Sequence, residues 1–262
     1  MIKKISLFCI LTICIEFVNA ANTNNAYNLR KMEIAFQGGV ANPVGNFAKE
    51  GFSSFNEQTG ELSYNGAQAG FTYGLSLSFY PSDYFGAVIL FNGVSYKFKG
   101  KTFSGINTND HRIWNTTFTD KWTSFAAQVG ATFRYPLLDW LQITSRATIG
   151  YAHLMSPYYK SEAQDKRILW TREVHSKSAP AFGMAFGIGF KWLISPGFHL
   201  NLTGDYFTAT PFKFKNVEST LNTKSTSLTG DAGPNIEVSR VKYHTTQNFS
   251  SLNISLGISF AF

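Results

Sequence analysis

From residue 32 onward the chain alternates apolar residues with small or polar ones at a period of two. The clearest window is 69–79. Ala69, Phe71, Tyr73, Leu75, Leu77 and Phe79 share one face, while Gly70, Thr72, Gly74, Ser76 and Ser78 share the other. Successive side chains of a strand point to opposite faces, so such a window predicts a strand that is apolar on one side. The pattern returns at 124–135, 141–151, 182–192, 198–206 and 251–262. A weaker strand covers 32–40, with Met32, Ile34, Phe36 and Val40 against Glu33, Ala35, Gln37 and Gly39. Segment 84–98 changes phase: Ala87, Ile89 and Phe91 fit one face, Val94, Tyr96 and Phe98 the other. A bulge near Gly93 reconciles them, because one extra residue shifts the phase. The prediction is eight strands.

The connections alternate in length. Pro81-Ser82-Asp83, Pro136-Leu137-Leu138-Asp139 and Ser195-Pro196-Gly197 are short and rich in turn formers. The stretches 41–67, 99–121, 155–178 and 209–247 are long and hold most of the charge. An even strand count with one tight end and one loopy end fits an outer-membrane barrel. A soluble barrel also alternates, but with its apolar face inward. Three features favour the membrane. The opposing face is Gly, Ser, Thr, Ala and Gln, a poor solvent surface but a good filling for a narrow bore. Aromatics collect at both ends: Phe79, Tyr135, Trp192, Phe198 and Phe262 near the short turns, and Tyr73, Phe125, Tyr151, Phe182 and Tyr206 near the long loops. The apolar alternation runs for about 9–11 residues per strand, enough for a tilted crossing. Backbone groups in lipid must all pair, so the sheet must close. The predicted fold is all-β: an eight-stranded antiparallel up-and-down transmembrane β-barrel over 32–262, with short periplasmic turns and long extracellular loops.

Composition agrees. The chain has 262 residues, with 15% charged, 16% aromatic, 25 Phe and 22 Gly, which argues against disorder. The net charge of +7 comes without a Lys/Arg-rich run, so no nucleic-acid partner is expected. Residues 1–20 read as a cleaved secretory signal: Lys3 and Lys4, an apolar Ile5–Ile15, then Val18-Asn19-Ala20. Residues 21–31 would follow as a periplasmic segment. Cys9 and Cys14 both lie in the signal, so the remainder has no disulfide, thiolate metal site or Cys nucleophile. Ile13 before Cys14 argues against a lipoprotein acceptor.

On these strands, on Gly39 through Asn42-Pro43-Val44-Gly45-Asn46-Phe47, and on the terminal Leu-x-Ile-x-Leu-x-Ile-x-Phe-x-Phe, the chain resembles the small outer-membrane barrels of the OmpA/OmpX type, especially the Bacteroidetes-like outer-membrane barrel family. The resemblance covers about 32–262. It implies that Phe262 is part of a C-terminal signal read by the outer-membrane assembly machinery. Nothing follows the last strand, so the cell-wall tether of full-length OmpA-like proteins is not implied.

Charged residues on the inward face are the main candidate chemistry: Glu33, Arg134, Arg146, Lys191 and Asp205. Burying an unpaired charge is costly, so those at mid-strand should pair in a polar network. Arg146 and Asp205 count as the deepest. No zinc spacing is present; His111, His175 and His244 fall in three different loops, where solvated histidine is the simpler reading. His175-Ser176 with Glu173 is the nearest approach to a lipid enzyme's Ser/His/acid set, but adjacency in sequence is not triad geometry. No cofactor and no catalytic or metal residue is expected. The leading function is a non-enzymatic integral outer-membrane protein, monomeric, presenting surface loops for binding or envelope integrity. Its partners would be membrane lipid, lipopolysaccharide, the assembly machinery and an unidentified envelope protein. In 155–178, Lys160, Lys166, Arg167, Arg172 and Lys177 outnumber Glu162, Asp165 and Glu173, a surface suited to anionic lipopolysaccharide. The alternatives are a small-solute or apolar-ligand channel and a lipid-modifying enzyme.

Overall fold

The computed structural model describes residues 31–48, 67–98, 102–106, 113–165, 168–225 and 235–262. The predicted signal at 1–20, most of 21–31, His111, Lys166 and Arg167 lie outside them. Among the described residues twelve strands form in chain order: β1 (Met32–Pro43), β2 (Ala67–Phe79), β3 (Phe85–Phe98), β4 (Thr102–Ile106), β5 (Ile113–Phe118), β6 (Trp122–Leu138), β7 (Leu141–Met155), β8 (Tyr159–Asp165), β9 (Ile168–Val174), β10 (Ser178–Ser195), β11 (Phe198–Ser225) and β12 (Asn235–Ala261). A single 3-10 turn, Gly45–Phe47, follows β1.

Eight of these close on themselves in the order β1-β2-β3-β6-β7-β10-β11-β12, with β12 back on β1 and every pairing antiparallel. A walk through paired residues shows the stagger. Glu33, Ser78, Val88, Gly130, Thr148, Ala185, Phe207, Ser251 and Pro43 follow one another around the ring, so the path re-enters β1 at 43 rather than 33. A stagger of this kind means tilted strands, and an eight-stranded bore is just wide enough for side chains to fill. All six strong windows and the 32–40 strand fall inside the ring strands, with their apolar faces outward. Phe36, Phe71, Val129, Ile149, Phe186 and Leu256 are all exposed on the outside. Both aromatic sets also lie outward, as with Phe79 and Tyr135 at one end and Tyr73 and Tyr151 at the other.

Segment 84–98 differs from the expectation. β3 pairs with β6 without a break from Phe85 to Tyr96, so no bulge sits at Gly93. Val88, Leu90, Val94 and Tyr96 simply point inward along with Asn92. The phase seemed to change because the bore itself becomes apolar there. The bulge lies on the neighbouring strand, where the β2–β3 register shifts between Gln68 and Phe71. Gly93 faces outward, and the Tyr73 ring covers the place where a side chain would stand. The second short connection is also tighter than expected: β6 runs through Pro136 to Leu138, leaving Asp139-Trp140 as the turn.

The long connections are not simply loops. β4–β5 and β8–β9 are hairpins, and β11 and β12 are 28 and 27 residues long. They join edge to edge as β12-β11-β9-β8-β5-β4, a wall standing on one side of the ring mouth. β11 bends into the wall through register shifts at Ala209/Phe212 and Phe214/Val217. Asn216 there takes φ 54°, a left-handed conformation that Asn tolerates better than most residues.

Candidate functional site

The stagger sorts the inward side chains by height, and the five predicted charges fall at two levels. At the short-turn end, Lys191 Nζ donates to both Glu33 carboxylate oxygens, at 2.5 and 2.6 Å. Beside them the Arg134 guanidinium lies 3.8 Å over the Tyr80 ring, and its Nε donates to the Asp83 carbonyl at 2.9 Å. Higher up, Arg146 grips Asp205 with two bonds, Nε to Oδ1 at 2.8 Å and Nη2 to Oδ2 at 2.6 Å. Paired N–H···O bonds are the strong geometry for this couple. Nη2 also reaches Gln37 Oε1 at 3.3 Å. All five charges thus have partners, two as the Lys191–Glu33 and Arg146–Asp205 pairs, with Arg134 held by Tyr80 and the Asp83 carbonyl beside the first pair.

Sequence reasoning missed the residues that make room for these pairs. Gly187 on β10 is paired with Arg146 on one side and Asp205 on the other. A Cβ at Gly187 would fall on the Asp205 carboxylate and against the Arg146 stem. Glycine is therefore what admits the ion pair. Tyr80 is fully buried at the foot of the bore, with its hydroxyl 3.5 Å from Thr132 Oγ1. Its position beside Pro81 gave no sign of this. Between the two ion pairs is a void of about 40 Å³ lined by Gln37, Ser76, Thr132, Thr144, Asn201 and Thr203. Just above the Arg146 level, buried Asn92, Gln128, Thr148 and Asn253 present polar atoms that have no hydrogen-bond partner among the described residues.

The mouth half of the bore is different. Ala126, Ala152, Leu154, Phe207, Phe212, Phe214 and Phe249 form one buried apolar cluster with Tyr96 and Trp122. Phe47, from the 3-10 turn, packs into it with ring centroids 4.7 Å from Phe249, 5.3 Å from Tyr96 and 5.7 Å from Trp122. A void of about 50 Å³ remains beside Trp122, lined by Phe118, Tyr159, Phe214, Tyr243 and Gln247.

The wall's outer face is charged. Lys242 and Glu218 pair at 3.1 Å, and Lys160 and Glu162 at 2.8 Å. The hydrogen bond and charge of Lys242 hold the Glu218 carboxyl below its ordinary range, and the Glu162 hydrogen bond raises Lys160. The Ser176 hydroxyl donates to the Ser156 carbonyl at 2.6 Å, while the His175 ring lies 5.8 Å from Tyr158. That segment thus gives the hydroxyl a carbonyl partner rather than a histidine base. Among the described residues no three His, Cys, Asp or Glu gather to hold a metal. Phe262 exchanges backbone bonds with Met32 at 2.9 and 3.0 Å and turns its ring outward at the rim.

No protein-family model matches the chain, and no curated protein matches it. Among solved structures it is similar to Neisserial surface protein A, at 9% identity over 88% of this chain and 97% of that one, with a TM-score of 0.42. The outer membrane protein OprG from Pseudomonas aeruginosa matches at 10% identity, 89% and 98% coverage and a TM-score of 0.41. The outer membrane protease OmpT from Escherichia coli matches at 8% identity, 92% and 99% coverage and a TM-score of 0.46. The fold stands on the chain's own closed register: an eight-stranded antiparallel up-and-down β-barrel with an apolar outside and a filled bore.

Proposed function

We propose that this chain is a non-enzymatic integral outer-membrane protein, exported through a cleaved signal at 1–20, that presents its wall of hairpins outside the cell. One observation carries the reading: a closed ring with an outward apolar belt, rimmed by aromatics, around a bore filled with paired charges and packed rings. Only a bilayer makes that belt favourable, and a filled bore leaves the wall as the working surface. The short turns would face the periplasm. The protein should fractionate with the outer membrane, resist extraction by carbonate and migrate differently when heated. Release by carbonate without detergent would overturn the membrane reading.

The wall's outer face suits an anionic partner, and lipopolysaccharide is the one at hand. Lys213, Lys215, Arg240 and Lys242 stand exposed on β11 and β12 above the apolar belt. Exposed cations of this kind act through steering and are screened by salt. Binding of purified lipopolysaccharide should therefore fall with ionic strength and weaken in a Lys213→Gln/Lys215→Gln variant. Salt-independent binding would point elsewhere. Phe262 fits an assembly role, since its ring is exposed at the rim and contributes little packing. Phe262→Ala should cut membrane-inserted yield in cells while leaving the unfolding midpoint of refolded protein nearly unchanged. An unchanged yield would remove that role.

A further inference from the structure

Among the described residues, the apolar cluster at the bore mouth draws all but one of its buried members from strands; the exception is Phe47. Its turn is a single 3-10 segment with no side-chain cap, tied to the ring by the Val44 N–H to Ser250 carbonyl bond at 3.0 Å. Gly45 takes φ +63°, which aims the turn into the bore, and open space surrounds the place of its missing Cβ. The rings that hold Phe47 stand on opposite sides of the barrel. Phe249 is on β12 and Trp122 on β6, four places apart in a ring of eight. Phe47 touches both, so it lies near the bore axis.

Empty or unsatisfied space lies on both sides of it. Below are the partnerless polar atoms of Asn92, Gln128, Thr148 and Asn253, and beneath them the polar void of about 40 Å³. Buried polar atoms of this kind call for water, and the void has room for about two or three molecules. Above is the aromatic void of about 50 Å³, which shares Trp122 with the Phe47 cage.

We propose that Phe47 is the stopper of a narrow path for water and small monovalent ions through the bore, seated by the inward turn at Gly45. The proposal rests on the reading that the barrel spans a bilayer. The ion pairs below line the polar section of the bore, with the small void between them. Among the described residues the stopper is the one part of the seal not built into a strand, so it is the part free to leave.

The test is single-channel recording on refolded full-length protein in planar bilayers with potassium chloride. Phe47→Ala removes the stopper. Gly45→Val keeps Phe47 but opposes the positive φ that seats it. A minor state of a protein is commonly populated at about 0.1–10%, so both variants should raise mean conductance about tenfold or more over the wild type. Val129→Ala, on the outer face, should match the wild type. Heat-modifiable migration and protease protection in liposomes establish insertion for each variant. Failure of the wild type itself to insert would sink the membrane reading. Insertion with wild-type conductance in both Phe47→Ala and Gly45→Val would overturn the stopper. So would conductance that appears in Arg146→Met/Asp205→Leu but not in Phe47→Ala, since the seal would then lie at the ion pair.

Discussion

The two halves of one bore are built on opposite principles. Toward the short turns the inward positions carry charges, amides and hydroxyls, and order comes from the Lys191–Glu33 and Arg146–Asp205 pairs. Toward the mouth the same inward positions carry Phe207, Phe249, Tyr96 and Leu154, packed as in a soluble core. The backbone is the same in both halves. What differs is the cost of error. A charge left unpaired in the lower half is severely penalised, whereas a ring shaved in the upper half leaves a cavity that neighbours can partly close.

The sharpest break is Asp205→Ala. It strands the buried Arg146 guanidinium and should cost about 3–5 kcal/mol in the detergent unfolding midpoint. Replacing the pair together, with Arg146→Met and Asp205→Leu, should recover most of that loss; no recovery would mean the pair is not what makes this half fragile. In the upper half Phe249→Ala should cost about 3 kcal/mol, the low end for such truncations, because the rings of Phe47, Tyr96, Phe207 and Phe212 around it can relax into the space. A second truncation at Phe207 should not restore it. If Phe249→Ala cost more than Asp205→Ala, the contrast between the halves would fail.

The outside gives a third measure. Phe186→Lys near mid-barrel on the lipid face should cost about 2–4 kcal/mol, whereas a lysine already serves inside at 191. Equal tolerance of lysine on both faces would contradict the assignment of lipid to the outside. The smallest effect belongs to the wall. Glu218 has its carboxyl lowered by the hydrogen bond and charge of Lys242. A lowered folded pKa gives stability that is present above the ordinary glutamate value of 4.5 and is lost as pH falls through the lower folded value. The pair is more than half exposed, so the effect on unfolding should be slight. Carboxyl NMR should show Glu218 titrating below 4.5, and Lys242→Met should return it toward that value; no movement would remove the assigned cause.

Much of this was legible in the residues, and the misses have a common cause. The windows at 69–79, 182–192 and 251–262 showed their strands because a side chain's face follows from its parity alone. Segment 84–98 misled because inward was equated with polar. At the height of Val94 and Tyr96 that equation fails, and height depends on the stagger of the whole ring. The stretches 99–121, 155–178 and 209–247 looked like loops because their strands are short or polar on the face that shows. They are ordered by pairing with one another, which no local window reports.

The sequence by itself determined the strands of the ring, their apolar faces and which charges point inward, because each of these depends on neighbours two residues away. Only the tertiary structure decided which charges meet. Arg146 and Asp205 are 59 positions apart, and Lys191 and Glu33 158 apart. It also decided that Gly187 makes room for the first pair, that Phe47 leaves its connection to lie near the bore axis, and that three connections join into one wall. Each of these depends on the closure and stagger of the sheet, which bring residues together from opposite ends of the chain.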